Sequence, residues 1–175
     1  MLASTEIDIL TEQPDARSVS QAFVHTQAGL FSRLLVATLY LGLVLGVSLI
    51  ATPAKFLAPS LELAAALDVG RVTFALFNRI EWGVFAVLAV LVLPLRSGLA
   101  RCAVMALGTT LILDTTWLLP TLFERVSAVQ AGTPKPSSLH HMLYATLEIA
   151  KIMALGGIIA AQIRAFSAHR ERTSS

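Results

Sequence analysis

The sequence predicts an all-α, polytopic membrane protein: a four-helix transmembrane bundle with a short interfacial helix after the first span. Three observations carry this prediction. Segment 31–52 has no charge after Arg33, and about 20 apolar residues suffice for a helix to cross a bilayer. Of the 175 residues, 55% are hydrophobic and only 14% are charged, whereas a soluble domain carries about 25% charge. Further apolar stretches of similar length follow the first.

Composition also excludes several classes of function. The net charge is only +2 and the basic residues are dispersed, which does not suit nucleic-acid binding. Cys102 is the single cysteine, so an internal disulfide and a zinc site of several thiolates are excluded. The sequence has no glycine-rich phosphate loop, and no serine or cysteine nucleophile has a base at plausible spacing. We therefore expect a protein that is not an enzyme.

No cofactor is expected. A bis-histidine haem needs histidines on facing spans. The histidines outside the last span, His25 and His169, lie in the two tails. Haem is therefore disfavoured by the sequence.

The chain divides into three parts. Residues 1–30 are expected to be a disordered or partly helical cytoplasmic tail, because they are polar and present no apolar face. Residues 31–166 form the four-span transmembrane domain, and 167–175 form a polar C-terminal tail. A cleaved signal peptide is disfavoured, because about 30 mostly polar residues precede the first apolar run, whereas a signal has a short basic head.

Span one is predicted over 31–52, with no polar stripe. Pro53 ends it, since proline lacks an amide donor and clashes with the preceding turn. Ser60 then caps a short helix that lies at the interface. Gly70 closes this interfacial helix.

The other three spans are predicted from the remaining apolar runs. Span two covers 72–95, because its purely apolar second half is too short to cross a bilayer alone. Span three covers 99–119 and ends at Pro120, which is followed by a loop. Span four covers 139–163.

Gly42 and Gly46 stand four residues apart in span one. This small-residue spacing lets two helices approach closely in lipid. Alternatively, the two glycines reflect only the greater frequency of glycine in membrane helices.

The basic residues predict the orientation. Four spans place both termini on one side, and that side holds the larger number of arginines near the spans. We therefore expect both termini in the cytoplasm. The expected location is a bacterial inner membrane.

Ionisable and polar side chains fall at one level of spans two to four, in the outer half of the predicted bundle. On span four they recur at intervals of three and four residues, which places them on one helix face. Buried charge is costly in lipid, so these groups should face one another. The candidate ligand- or ion-binding residues are Asn78, Arg79, Glu81, Asp114, His140, His141, Tyr144, Glu148 and Lys151.

Two interpretations of this polar layer stay open. In one, it binds or passes a proton, a metal ion or a small polar solute. A mixed site of His140 or His141 with Glu148 or Asp114 is conceivable for a metal. The histidines alternatively make hydrogen bonds at the helix start. In the other interpretation, the layer is a structural ion-pair network in an accessory subunit of a larger membrane complex.

Several sequence segments resemble a known family. They are ATPAKFLAP after span one, LDVGRVTFALFNRIEW before span two, WLLPTLFERV after span three, and SSLHH followed by LYATLEIAKIMALG in span four. Their order over about 31–165 is similar to the membrane proteins grouped as domain of unknown function 4149, related to the transmembrane protein 205 family. The resemblance implies a small four-span helical protein without an assigned enzymatic activity. Independently of this resemblance, the expected partners of the chain are the lipid bilayer and either a second copy of the chain or a membrane-complex partner.

Overall fold

The computed structural model describes residues 27–133 and 139–174, without the side chains of His141 and of 168–174. In these ranges the chain is helical and contains no strand. The predicted all-α class is confirmed. Most of the predicted N-terminal tail lies outside the described residues. The predicted C-terminal tail is helical up to Ser174.

Four helices are long and apolar enough to cross a membrane. The first includes two α-helical parts and a π-helical segment, and the third has the same composite structure. The helical segments are Gln27–Val44, Leu45–Ala51 (π-helical), Thr52–Ala54, Leu63–Val92, Gly98–Leu113, Asp114–Leu118 (π-helical), Leu119–Gln130 and His140–Ser174. We call the four membrane-length helices spans one to four: Gln27–Ala54, Leu63–Val92, Gly98–Gln130 and Met142–Ser167.

The four spans form an antiparallel bundle. Span four packs against spans one and three, and span two packs against the same two helices from the other side. Spans one and four run in opposite directions, because Arg33 pairs with Gln162 while Ser48 pairs with Glu148. We call the end that carries the connections after Ala54 and Gln130 the distal end, and the opposite end the proximal end.

The bundle interior contains an apolar core in its proximal half and polar groups nearer the middle. Fully buried core side chains come from all four spans: Ala37, Val44, Leu88, Val92, Val104, Leu107, Leu155 and Ile158. The outer surface is also apolar and exposes many large hydrophobic side chains, among them Leu35, Leu39, Val72, Leu76, Val90, Met105 and Met153. A helix bundle that is apolar both inside and outside is suited to lipid rather than water.

Two prolines lie just after π-helical segments. Leu45–Ala51 precedes Pro53, and Asp114–Leu118 precedes Pro120. A π-helical turn widens the helix and alters its hydrogen-bond ladder, so the chain continues through a residue that has no amide donor. The prediction that Pro120 ends span three was therefore wrong, because the helix continues to Gln130.

The region between spans one and two differs from the prediction. Helix Leu63–Val92 passes through Gly70 without a break, and Glu62 rather than Ser60 occupies its N-cap position. The residues expected to form a separate interfacial helix are thus the first turns of span two. Gly70 therefore does not end a helix. The side chain of Lys55 packs over it.

Gly42 and Gly46 do not mediate packing inside this bundle. A Cβ atom added at either position would meet no atom within 4 Å among the described residues. Their helix face therefore looks away from the other three spans.

Candidate functional site

A buried lysine is surrounded by three carboxylates at the centre of the bundle. The Nζ atom of Lys151 lies 3.0 Å from Oε1 of Glu81, 2.7 Å from Oδ2 of Asp114 and 2.8 Å from Oε1 of Glu148. It also donates to Oε2 of Glu81 at 3.1 Å. We call these four residues the charged cluster. Each side chain is at most 3% exposed.

The positions of these residues on their helices explain why the four charged side chains meet. Glu148 and Lys151 are three residues apart on span four, so they share a face. Lys151 extends from that face to Glu81 on the diagonally opposite span two. Asp114 begins the π-helical segment of span three, and π-helical turns are frequent at functional sites. The prediction that these charged groups of spans two, three and four face one another is confirmed.

Span one also contributes to the site, contrary to the prediction that it carries no polar stripe. Ser48 donates to Oε2 of Glu148 at 2.7 Å, and the hydroxyl of Tyr40 donates to Oε1 of Glu81 at 3.3 Å. Sequence reasoning missed both residues. The available signal was the spacing of Arg33, Tyr40 and Ser48 by seven and eight residues, which places all three on one helix face.

Two buried polar atoms beside the cluster have neither a hydrogen-bond partner nor an ion-pair partner among the described residues. They are Oδ1 of Asp114 and Nδ2 of Asn78. The carbonyl oxygen of the Asn78 side chain accepts from Thr115, which in turn accepts from the indole N–H of Trp82 at 3.0 Å. Oδ1 of Asp114 and Nδ2 of Asn78 therefore offer one free acceptor and one free donor on neighbouring helices. Buried polar atoms are rarely left unpaired, so these two atoms need an explanation.

The cluster holds more negative than positive charge. With every group ionised, three carboxylates face one ammonium, which leaves two uncompensated negative charges in the cluster. An uncompensated buried charge is strongly unfavourable. The cluster thus favours the uptake of positive charge.

Arg79 does not join the cluster, although it was predicted in the polar layer. Its side chain is exposed because it is two residues from Glu81, so the two side chains project in nearly opposite directions from the helix. Arg79 therefore does not serve as a second cation for the three carboxylates. With Arg79 inside, the surplus would be one negative charge; without it, the surplus is two.

The remaining candidates lie toward the distal end. Tyr144 is 7% exposed, one turn before Glu148, and its ring packs edge-on against Phe74 at 5.2 Å between centroids. The ring of His140 lies edge-on to Trp117 at 5.9 Å. His140 is therefore against an aromatic ring rather than within the charged cluster. The side chain of His141 lies outside the described residues.

The vertical position of the cluster also differs from the prediction of an outer-half layer. Asp114 lies midway between the ends of span three, Gly98–Gln130. The sequence ended this helix at Pro120, which placed Asp114 near one end. The longer helix moves the cluster to the middle of the bundle.

Within the described ranges, no group of three or more His, Cys, Asp or Glu side chains is arranged to hold a metal ion. The geometry of the cluster gives the reason. The ammonium of Lys151 occupies the point on which the three carboxylates converge. A metal ion bound by all three carboxylates would have to displace this ammonium.

A second buried polar contact lies in the proximal half. The guanidinium Nε of Arg33 donates to Oε1 of Gln162 at 2.9 Å, and both side chains are at most 5% exposed. This contact joins the ends of spans one and four. This contact was not predicted from the sequence.

Comparisons with protein-family models, with curated proteins and with solved structures find no match for this chain. The site is therefore interpreted from its own geometry.

Proposed function

We propose that this is an integral membrane protein, not an enzyme, that binds and passes protons, or a small cation in their place, at the charged cluster. The observation that carries the proposal is the arrangement of three buried carboxylates around a single buried ammonium. In a membrane, ionisable groups of this kind commonly mark ion pathways and proton relays.

The two negative charges in excess define the expected ligand. One or two protons on the carboxyl groups remove them without any change in packing. Oδ1 of Asp114, which accepts no hydrogen bond from the described residues, is a suitable position for one proton. Hydroxyl groups of Tyr40 and Ser48 contact the other carboxylates, so each edge of the cluster has a group able to donate or accept a hydrogen bond.

A proton-flux measurement tests this function. The purified protein is placed in liposomes that contain a trapped pH-sensitive dye, and a membrane potential is imposed. We expect flux with the unmodified protein and at least a tenfold loss with Asp114→Asn or Glu148→Gln. Arg101→Gln, which removes an exposed charge outside the cluster, is the matched control and should retain the flux. Equal flux in all four proteins, or none in any of them, contradicts the proposal.

A structural role is the second candidate. It is favoured by Gly42 and Gly46, whose helix face looks away from the bundle and is available to a membrane-complex partner or a second copy. In that case the charged cluster fixes the register of the helices. This candidate predicts co-purification with a fixed partner or stable oligomer in mild detergent, and no proton flux.

The location and family are also proposals. A bacterial inner membrane with both termini in the cytoplasm accords with the distribution of arginines. Membership of the family grouped as domain of unknown function 4149 accords with a four-helix all-α fold. Tagging each terminus with a reporter that is active only in the cytoplasm tests the orientation.

A further inference from the structure

A second candidate site lies at the distal end, away from the charged cluster. A partly open cavity of about 190 Å³ separates the start of span two from the last helical segment of span three. Its walls are almost entirely apolar and include Leu67, Phe74, Leu122, Phe123 and Val126. Three basic side chains also line it: Lys55, Arg71 and Arg125.

Lys55 is the distinctive residue of this cavity. Its ammonium lies over two aromatic rings, 5.1 Å from the centroid of Phe56 and 5.3 Å from that of Phe74. Among the described residues, no carboxylate lies within ion-pair distance of it. Burial lowers the pKa of the Lys55 ammonium, as expected for a cation that has lost water without gaining an anion.

Local geometry holds this ammonium in place. Gly70 allows the side chain to lie directly against span two, because a Cβ atom at that position would occupy the site of Nζ. The next residue, Arg71, pairs with Asp68, one turn earlier, at 2.8 Å on the exposed face of the helix. Lys55 thus leaves the cavity rim with an uncompensated positive charge.

We infer that this cavity binds an anionic phospholipid, with one acyl chain between the apolar walls and the phosphate beside Lys55 and Arg71. A small inorganic anion would not contact the apolar walls of the cavity. An uncharged lipid would contact those walls but would bring no anion to Lys55. Lys55 directly follows the last residue of span one, near the level at which headgroups meet a helix end. Basic pockets between membrane helices recognise lipid headgroups by this combination.

Native mass spectrometry of the detergent-purified protein tests this inference. Equal amounts of palmitoyl-oleoyl phosphatidylglycerol and phosphatidylcholine are added, and bound lipids are counted. We expect a preference for phosphatidylglycerol that falls about fivefold in Lys55→Gln, the effect of one basic side chain near an anionic group. Arg101→Gln removes the same charge outside the cavity and should keep the preference.

Two further variants separate headgroup from chain recognition. Gly70→Ala should displace the Lys55 ammonium and weaken the preference while the charge is kept. Leu67→Phe should fill the cavity and reduce binding of both lipids. Equal binding of the two lipids by the unmodified protein, or the same result for Lys55→Gln and Arg101→Gln, overturns the inference. Preferential retention of added oleate over phosphatidylglycerol also overturns it.

This inference is independent of proton binding. Glu148→Gln alters the charged cluster and leaves every residue of the cavity unchanged, so it should keep the lipid preference. If the unmodified protein shows no proton flux but still selects phosphatidylglycerol, the proposed function is contradicted and the lipid site is supported.

Discussion

Two lysines of this bundle, the buried Lys151 and the half-buried Lys55, have opposite surroundings. Lys151 is in contact with three carboxylates in the middle of the bundle. Lys55, at the distal end, lies over two aromatic rings, and no carboxylate of the described residues lies within ion-pair distance. The first environment has an excess of negative charge and the second an excess of positive charge.

This difference indicates what each region requires from outside. Charge that is removed from water must be compensated nearby. In the proposals made above, added protons or a cation compensate the cluster around Lys151, and an anion compensates the cavity around Lys55. The same chain thus presents two sites of opposite preference, and substitutions at the two lysines should have different consequences.

The largest effect is expected when the central cation is removed. Lys151→Met leaves three buried carboxylates without an ammonium, and loss of one partner from a buried ion pair costs about 3–5 kcal/mol. Urea unfolding in detergent micelles measures the change. Lys55→Met is the control and should cost less than about 1 kcal/mol, because no described carboxylate loses its partner. Equal losses of stability would show that the two environments do not differ.

A smaller effect is expected when one carboxylate is neutralised. Asp114→Asn keeps the shape of the side chain and removes one of two surplus charges, so the free energy of unfolding should change by less than about 1 kcal/mol. In a balanced ion pair the same substitution would break a buried partner contact and cost about 3–5 kcal/mol. The unfolding free energies of Asp114→Asn and Lys151→Met, measured together, separate these two cases.

The two hydroxyl groups of span one should contribute to stability in the order of their hydrogen-bond lengths, the shorter bond contributing more. Ser48→Ala removes a 2.7 Å bond to Glu148 and should cost about 1.5–3 kcal/mol if that carboxylate is ionised. Tyr40→Phe removes a 3.3 Å bond to Glu81 and should cost about 0.5–1.5 kcal/mol. The reverse order in unfolding measurements would contradict this ranking.

The smallest effect on the single chain is expected at Gly42. Gly42→Leu projects away from the bundle, where no described atom lies within 4 Å. Its unfolding free energy should change by no more than about 1 kcal/mol, in the direction of greater helix stability. Chemical crosslinking of membranes then tests the accessory role. Loss of a crosslinked species without loss of stability would show that this face binds another chain.

Much of the fold was predictable because long apolar runs leave few alternatives. The meeting of Glu81, Asp114, Glu148 and Lys151 was also predictable, since buried charges in lipid require one another. The exact helix ends were not. Pro120 was expected to end span three, but the preceding π-helical segment allows the helix to continue. That segment depends on tertiary packing, which local sequence rules do not include.

It was harder to predict which residues form the site than to predict that a site exists. Tyr40 and Ser48 were missed because a neutral hydroxyl hardly changes the hydropathy of an apolar run, although their eight-residue spacing places them on one face. Arg79 was included because it is adjacent in sequence to the polar stretch. Its two-residue separation from Glu81 already implied opposite directions on a helix. Helical angle was therefore a better guide than proximity in sequence.

Infrared spectroscopy of the protein at neutral pH tests the central claim most directly. The carbonyl stretch of a protonated carboxyl group is distinct from the bands of a carboxylate, and isotope-labelled Asp and Glu assign it. We predict a protonated-carboxyl band that weakens in Asp114→Asn and is unchanged in Arg101→Gln. If the band is absent and no added monovalent cation alters the carboxylate bands, the cluster takes up no positive charge and the account is contradicted.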